Sequence, residues 1–350
     1  MKNKITRIDW ESLNPQDWKK QRDEVSGIGM PHCRIGASDI ATLTGNNKWK
    51  SKRRLFLSLV GLYDRLQINN DLLLGHEMES HTAYLFENYN LDEEIYLNNR
   101  YYRTPERELQ EARFFLINEE FPNMFVSLDY IPKGECYSPF TGELYGELTP
   151  IECKYIKDFV YETWDSPIPP NYYDQLQAQL AVSGEDVGVF APRIRGGAFH
   201  PVEVERNDEY IQYIKEVTGE FSVLVTRGKI LSEQIKMSKD AMEIHDLSNE
   251  LEDLTPIDPI EDSEDLAKEL MTSGDDYLEI EPEGKEERLI KEYQMVTEDE
   301  KNLKGRKHAI KAELTGLADG YAGLESENFR VIIRGHNHPT KGAYFRIYNK

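Results

Sequence analysis

The sequence predicts an α/β fold, with a central mixed β-sheet flanked by helices and then a C-terminal helix and β-hairpin. Three observations predict it. Apolar runs of strand length and longer runs of helical periodicity follow in the order helix, strand, strand, helix, strand, strand. The closing stretch FRVIIRGHNHPTKGAYFRIYN alternates apolar and polar residues about a turn, as a hairpin does. With 39% apolar and 11% aromatic residues, a chain of 350 residues can bury a real core and is not disordered throughout.

The elements follow in order. After a polar start, Ser38–Leu43 (SDIATL) reads as the first turns of a helix with Ser38 as its N-cap. Lys52–Leu62 continues with helical periodicity. Leu72–Tyr89 places Leu74, Met78, Leu85 and Tyr89 near one helical face. Strands are expected at Phe125–Ile131 and Pro150–Tyr155, separated by a Gly-rich insert. Pro170–Val182 reads as a helix with proline near its start. Two further strands are expected at Val187–Ala191 and Phe199–Val204, and a charged helix from about Glu286 to Leu317. The chain thus divides into a domain at 1–235, an acidic linker-like segment at 236–285, and a helix and hairpin at 286–350.

Charge is distributed unevenly. The formal net charge of −22 reads at first as an argument against a nucleic-acid partner. Residues 240–300, however, carry 23 acidic and 4 basic side chains, while residues 1–60 and 301–350 are each +6. The two basic ends are the expected surfaces for a phosphate backbone. No apolar run reaches the ~20 residues of a membrane span, and the opening MKNKITRIDW has no apolar export signal, so a cytoplasmic protein with no membrane partner is expected. Three cysteines, Cys33, Cys136 and Cys153, make neither a disulfide framework nor a four-cysteine metal site.

The chemistry is concentrated in acids set among apolar strand residues. Asp129 lies in FVSLDYI, and Glu152 and Lys154 lie in IECKY. Residues two apart on a strand share a face, so Glu152 and Lys154 project together. Asp129, Glu152 and the backbone carbonyl of Cys153 are hard oxygen donors suited to Mg2+, with Mn2+ as the expected substitute. Lys154 beside them can help deprotonate an attacking water or stabilise the phosphoryl charge. The pattern D-x(n)-E-x-K is the signature of the PD-(D/E)XK nucleases, whose restriction-endonuclease-like core is the form of α/β fold expected here.

Further motifs stand in a fixed order around it: Arg34-Ile35-Gly36-Ala37-Ser38-Asp39, then G-x-x-x-E from Gly75 to Glu79, then Gln175-Leu176-Gln177. Together they resemble the YqaJ-type viral recombinases, the family of the bacteriophage lambda exonuclease, over roughly residues 18–215. The tail after Glu286 also looks like one that many YqaJ-type proteins carry. The resemblance implies that Glu79, Asp129, Glu152, Lys154 and Gln175 form the catalytic set, with Gln177 the alternative to Gln175. It places Glu79 near the metals with Asp129, Glu152 and the Cys153 carbonyl. The family's W-x-x-x-R followed by a helix-start serine binds a terminal 5′-phosphate. Trp18 to Arg22 and then Ser38 fit that pattern, with residues 23–33 inserted between them, and Arg34 competes with Arg22 for the role.

The resemblance further implies 5′-to-3′ resection of linear duplex DNA with Mg2+, phage or prophage origin, a single-strand annealing protein as partner, and a ring-shaped homotrimer. The rival readings are an endonuclease or nickase on the same fold, and a non-catalytic module that binds DNA ends. The insert KGECYSPFTGELYGELTP between Asp129 and Glu152 is longer than in compact relatives and is expected to affect subunit contacts or DNA access. His76 is read as a helix-surface histidine, His336-Asn337-His338 as a turn, and Tyr172, Tyr173 and Trp164 as either packing or base-stacking groups.

Overall fold

The computed structural model describes residues 5–10, 15–27, 33–47, 49–62, 70–156, 168–194 and 199–256, helical residues between 288 and 313, and strand residues 323–325, 329–334 and 344–349. The chain forms two compact units, Met1–Met271 and Thr272–Lys350.

The first unit begins with β1 (Ile5–Asp9), α1 (Pro15–Val25), a two-residue β2 (Ile35–Gly36) and a 3-10 turn (Ala37–Asp39) that runs into α2 (Ile40–Thr44). Then come α3 (Lys52–Val60), α4 (Asn70–Glu87), α5 (Glu93–Tyr102), β3 (Leu109–Glu111), β4 (Phe114–Asn118), β5 (Met124–Ser127) and β6 (Tyr130–Pro132). The order continues β7 (Ile151–Ile156), α6 (Pro170–Ser183), β8 (Val187–Ile194), β9 (Val202–Glu205), α7 (Asp208–Met237) and α8 (Ala241–Leu254). Local chemistry sets the boundaries. Ser51 accepts the Arg54 N–H at the start of α3, Asp92 those of Glu94 and Ile95 at α5, and Asn207 that of Tyr210 at α7. Pro170 opens α6, and Gly184 closes it at φ 77°, a left-handed geometry that favours glycine.

The strands form two mixed sheets, in the orders β1-β4-β5-β2 and β3-β6-β7-β8-β9. β2 pairs with β5 and β7 with β8 in parallel; the other pairs are antiparallel. The α/β architecture is the expected one, but its sheet is split. The apolar run Phe125–Ile131 is not one strand: it leaves one sheet after Ser127 and enters the other at Tyr130. Asp129 stands at that seam. Its carbonyl accepts the Ala112 N–H and its carboxylate the Cys153 N–H, so the polar groups of one residue bridge neighbouring segments on both sides.

β7 is the buried axis of the five-stranded sheet. Ile151 and Cys153 join Leu85 and Phe86 of α4 in one apolar cluster, while Glu152, of opposite parity, meets α6. A larger cluster, including Ile40, Phe56, Phe114, Leu116, Val126 and Ala178, binds the four-stranded sheet to α2, α3, α6 and α7. The parallel pair β7–β8 is joined through α6, as a crossover connection requires.

Ser38 is not the helix N-cap the sequence suggested. It lies inside the 3-10 turn, Asp39 occupies the cap position of α2, and neither Gly36 nor Asp39 caps by a side-chain bond. The acidic segment also differs from expectation. α8 folds within the span read as linker because Ile244, Leu247, Leu251 and Leu254 make a stripe three and four residues apart. Leu251 is buried against the core, and Glu250 and Glu252 reach Arg227 and Arg53 at 2.6 and 3.3 Å. Residues 257–287 lie outside the described residues.

The second unit contains the helical residues between 288 and 313 and an antiparallel sheet in the order β10 (Gly323–Glu325), β11 (Phe329–Arg334), β12 (Tyr344–Asn349). The expected hairpin is present and gains a third strand. His336, Asn337, His338 and Trp164 fall outside the described residues.

Candidate active site

Glu152 organises the site. Its side chain is fully buried on β7, where an isolated carboxylate would carry a large desolvation cost. The structure meets that cost with donors on both oxygens. Gln175 Nε2 donates to Oε1 at 2.6 Å and Gln179 Nε2 to Oε2 at 2.6 Å, while the Lys154 ammonium makes a close ion pair with Oε1. Gln179 also donates to the Ser127 carbonyl at 3.3 Å, which ties α6 to the end of β5.

Asp129 comes in from the seam. Its Oδ2 accepts the Cys153 N–H at 2.9 Å and lies 3.6 Å from Lys154 Nζ. β6 pairs with β7 only at Tyr130 and Ile151, so beyond that point the edge of β7 faces Asp129. The Cys153 carbonyl accepts from Lys154 at 3.3 Å. Asp129 and Lys154 keep 20% and 25% side-chain exposure, so a substrate can reach the cluster from their side.

Glu79 belongs to the same electrostatic neighbourhood. Burial raises its carboxyl above the usual range, Lys154 and His76 oppose that, and Glu152 adds to it. His76 Nδ1 lies 3.1 Å from Glu79 Oε2, one helical turn away. His76 lies on the helix surface, as expected, and is also a direct neighbour of Glu79. Burial, then the Glu152 and Glu79 charges, push Asp129 well above the ordinary aspartate range against the pull of Lys154. Burial disfavours the Lys154 ammonium, but Glu152 and Asp129 outweigh it and hold the lysine charged. Asp129 and Glu152 thus meet one lysine beside a strand carbonyl, with Glu79 near enough to feel the charges of Glu152 and Lys154.

That donor set fits a hard divalent cation by chemistry: carboxylate and carbonyl oxygens, mutual acid repulsion, and a single lysine to offset it. Among the described residues no three acidic, histidine or cysteine side chains already form a metal cage. Lys154 supplies the positive charge between Asp129 and Glu152.

A second cluster lies at β2 and the turn after it. Arg22 Nη2 donates to Ser38 Oγ at 3.3 Å and lies 3.6 Å from Asp39 Oδ2, and Lys50 Nζ meets Asp39 Oδ1 at 2.7 Å. The Arg22 guanidinium also lies 5.6 Å from the Trp18 ring centre. Gly36 lets it approach, since a Cβ there would meet Arg22 Nη2 at 3.2 Å. Arg34 is placed differently: its Nη1 donates to the Val25 carbonyl at 3.1 Å, at the end of α1. The structure brings Arg22 to Ser38 and gives Arg34 to the backbone.

Of the two glutamines weighed from sequence, Gln175 reaches Glu152. Gln177 faces away, donating to the Glu205 carbonyl at 2.8 Å and accepting the Asn207 N–H at 2.9 Å. Sequence reasoning missed Gln179, although the signal was present: four residues after Gln175, it shares that residue's helical face. Tyr172 stacks on Phe190 with ring centres 5.0 Å apart, and Tyr173 packs against Tyr210 at 5.4 Å. The long insert folds back on the sheet, where Ser138 and Tyr145 hydroxyls both donate to Glu203 of β9 at 2.7 Å.

Residues 17–186 match the profile of the YqaJ-like viral recombinase domain. A protein of Bacillus subtilis (strain 168) named "Uncharacterized protein YqaJ" is 27% identical over 190 residues, 53% of this chain and 51% of that one. The chain therefore spans about half the length of the curated relative it matches. Among solved structures, an alkaline exonuclease (LHK-Exo) from Laribacter hongkongensis is 18% identical with a TM-score of 0.40, covering 71% of this chain and 98% of that one. A phage related exonuclease from Haemophilus somnus 129PT is 14% identical with a TM-score of 0.38, covering 58% and 97%.

Proposed function

From the match of residues 17–186 to the YqaJ-like viral recombinase domain, we propose that the chain is a Mg2+-dependent exodeoxyribonuclease that resects linear duplex DNA from its 5′ ends. The observation that carries the reading is the buried Glu152, clamped by Gln175 and Gln179 and paired with Lys154, with Asp129 brought to the same lysine from the sheet seam.

In this reading Asp129, Glu152 and the Cys153 carbonyl hold Mg2+, or Mn2+ in its place, and Glu79 contributes from α4. The cation supplies Lewis-acid polarisation of the phosphodiester when bound. The two glutamine amides fix both oxygens of Glu152, so that acid need not reorganise during the reaction. Lys154, paired with two acids, offers a positive charge to the phosphoryl oxygens as negative charge develops there. Arg22 and Ser38 hold the terminal 5′-phosphate, Arg22 as a two-pronged donor and Ser38 through its exposed hydroxyl.

The strand left behind is then a substrate for a single-strand annealing protein, and the family resemblance adds the expectation of a homotrimer. A digestion assay with Mg2+ tests the central reading. Linear duplex with 5′-phosphate ends should be degraded to mononucleotides, 5′-hydroxyl ends should react more slowly, and covalently closed circles should survive. Cleavage of closed circles would assign the site to an endonuclease instead.

A further inference from the structure

A carboxylate that the proposed reaction does not use lies in the interior beside the site. Asp174 of α6 has no exposed surface, and both of its oxygens are bound. Thr44 Oγ1 donates to Oδ2 at 2.5 Å and Asn46 Nδ2 to the same oxygen at 2.9 Å, while the Tyr210 hydroxyl makes a close bond to Oδ1. These donors are neutral, and they come from two other helices. Thr44 ends α2 with Asn46 just beyond it, and Tyr210 stands in the first turn of α7.

Stability alone does not call for this arrangement. A carboxylate buried among neutral donors recovers little beyond its own desolvation cost, and an apolar side chain would fill the space. What the bonds add is direction. α6 joins the large core cluster through Ala178, Ala181 and Val182, small apolar groups whose burial favours closeness without fixing a register. Asp174 fixes the register of α6 against α2, because its oxygens must meet their donors at hydrogen-bond distance. Its chain neighbour Gln175 points about 100° away around the helix and donates to Glu152. A shift of α6 that disturbs one of these residues therefore disturbs the other. At the opposite end, α2 continues from the turn that holds Ser38. Ser38, Thr44, Asp174, Gln175 and Glu152 are thus linked in sequence by helix backbone and hydrogen bonds.

We propose that Asp174 is a positioning residue: by locking α6 to α2 and α7, it holds the Gln175 amide on Glu152 and keeps the acid cluster in register with Ser38. The proposal rests on the nuclease reading, since Asp174 acts on a metal or on DNA only through those residues.

The test follows Mn2+ binding to the full chain by electron paramagnetic resonance without DNA, so that no cleavage is read. Losing a group that supports a metal ligand directly costs about 10–100-fold in affinity, and Asp174 stands one residue further out. Asp174→Asn should weaken Mn2+ binding by about threefold or more. Thr44→Val removes one donor while keeping the side-chain shape, so it should act in the same direction and keeps the comparison open should Asp174→Asn not fold. Thr255→Val is the structural control. It removes a buried hydroxyl bonded to the Leu251 carbonyl at the end of α8, and should lower the melting temperature with Mn2+ affinity unchanged. Glu152→Gln separates this proposal from the reading beneath it. If Glu152→Gln loses Mn2+ while Asp174→Asn and Thr44→Val bind as wild type does, the metal site stands and the positioning role is rejected. If Thr255→Val weakens binding as much as they do, the effect is one of general stability and the role is rejected too. If Glu152→Gln binds Mn2+ unchanged, the metal reading itself fails and the role of Asp174 goes with it.

Discussion

Gln179 and Glu152 form a buried amide–carboxylate pair across the interface of α6 and β7, 2.6 Å from Nε2 to Oε2. Without Gln179 the second oxygen of Glu152 would be buried with no donor from Gln175 or Lys154, which both meet Oε1. Gln179→Leu removes that donor and the bond to the Ser127 carbonyl together. It should lower unfolding free energy by about 1–3 kcal/mol, read by urea denaturation, and reduce nuclease turnover at least about tenfold. A variant as stable and active as wild type would remove Gln179 from the site.

Lys154→Ala should abolish cleavage while leaving duplex binding in EDTA within about threefold of wild type. The basis is its position between Asp129 and Glu152, where it can act on reacting oxygens without forming the DNA-binding surface. Retained cleavage would sink the assignment of this cluster as the active site.

Arg22→Ala should erase the preference for 5′-phosphate over 5′-hydroxyl ends, measured as the ratio of initial rates on the two substrates. Gly36→Ala should reduce that ratio in part, because its new methyl would press on Arg22 Nη2. Arg34→Ala serves as the contrast. It removes the bond to the Val25 carbonyl and should lower stability while leaving the ratio unchanged. Loss of the preference in Arg34→Ala alone would reverse the two assignments.

All three cysteines are buried and in no disulfide. Burial pushes the Cys136 thiol up to about 11 against the pull of Arg107. At pH 8 only about a thousandth of it is thiolate. Native protein should therefore show no fast phase with Ellman's reagent at pH 8 and three reacting thiols in urea. The folded state holds this proton more tightly than the unfolded chain. Stability from it is intact below the unfolded value near 9.0 and should fall as pH rises toward 11, followed by urea titration.

The central strand and its Glu152–Lys154 pair are legible in the sequence because a strand has a period of two, which puts the two side chains on one face. Asp129 was identified, but its setting was not. An apolar run looks the same whether it stays in one sheet or changes sheets at its middle, and only the pairing partners, Leu116 for Val126 and Ile151 for Tyr130, distinguish the cases. α8 was hidden by its charge, since the acids that suggested a linker lie on the outer side of an apolar stripe. α7 went unread although Ile211, Ile214, Phe221 and Val225 carry helical spacing. The tie between Thr44, Asn46, Tyr210 and the buried Asp174 joins residues too far apart in the chain for any local pattern to announce.

The seam at Asp129 also makes a ruler. β2 lies in parallel register with β5, Gly36 opposite Phe125, and Asp129 follows Phe125 by four residues, at most about 13 Å of extended chain. The turn that holds Ser38 and the acid beside Glu152 are therefore connected by one short run of backbone, paired strand as far as Ser127 and bent at the seam. An end anchored at Ser38 would present the same bond to the acids at every turnover. The length of the released product would then be a property of strand register, set when the sheet folds.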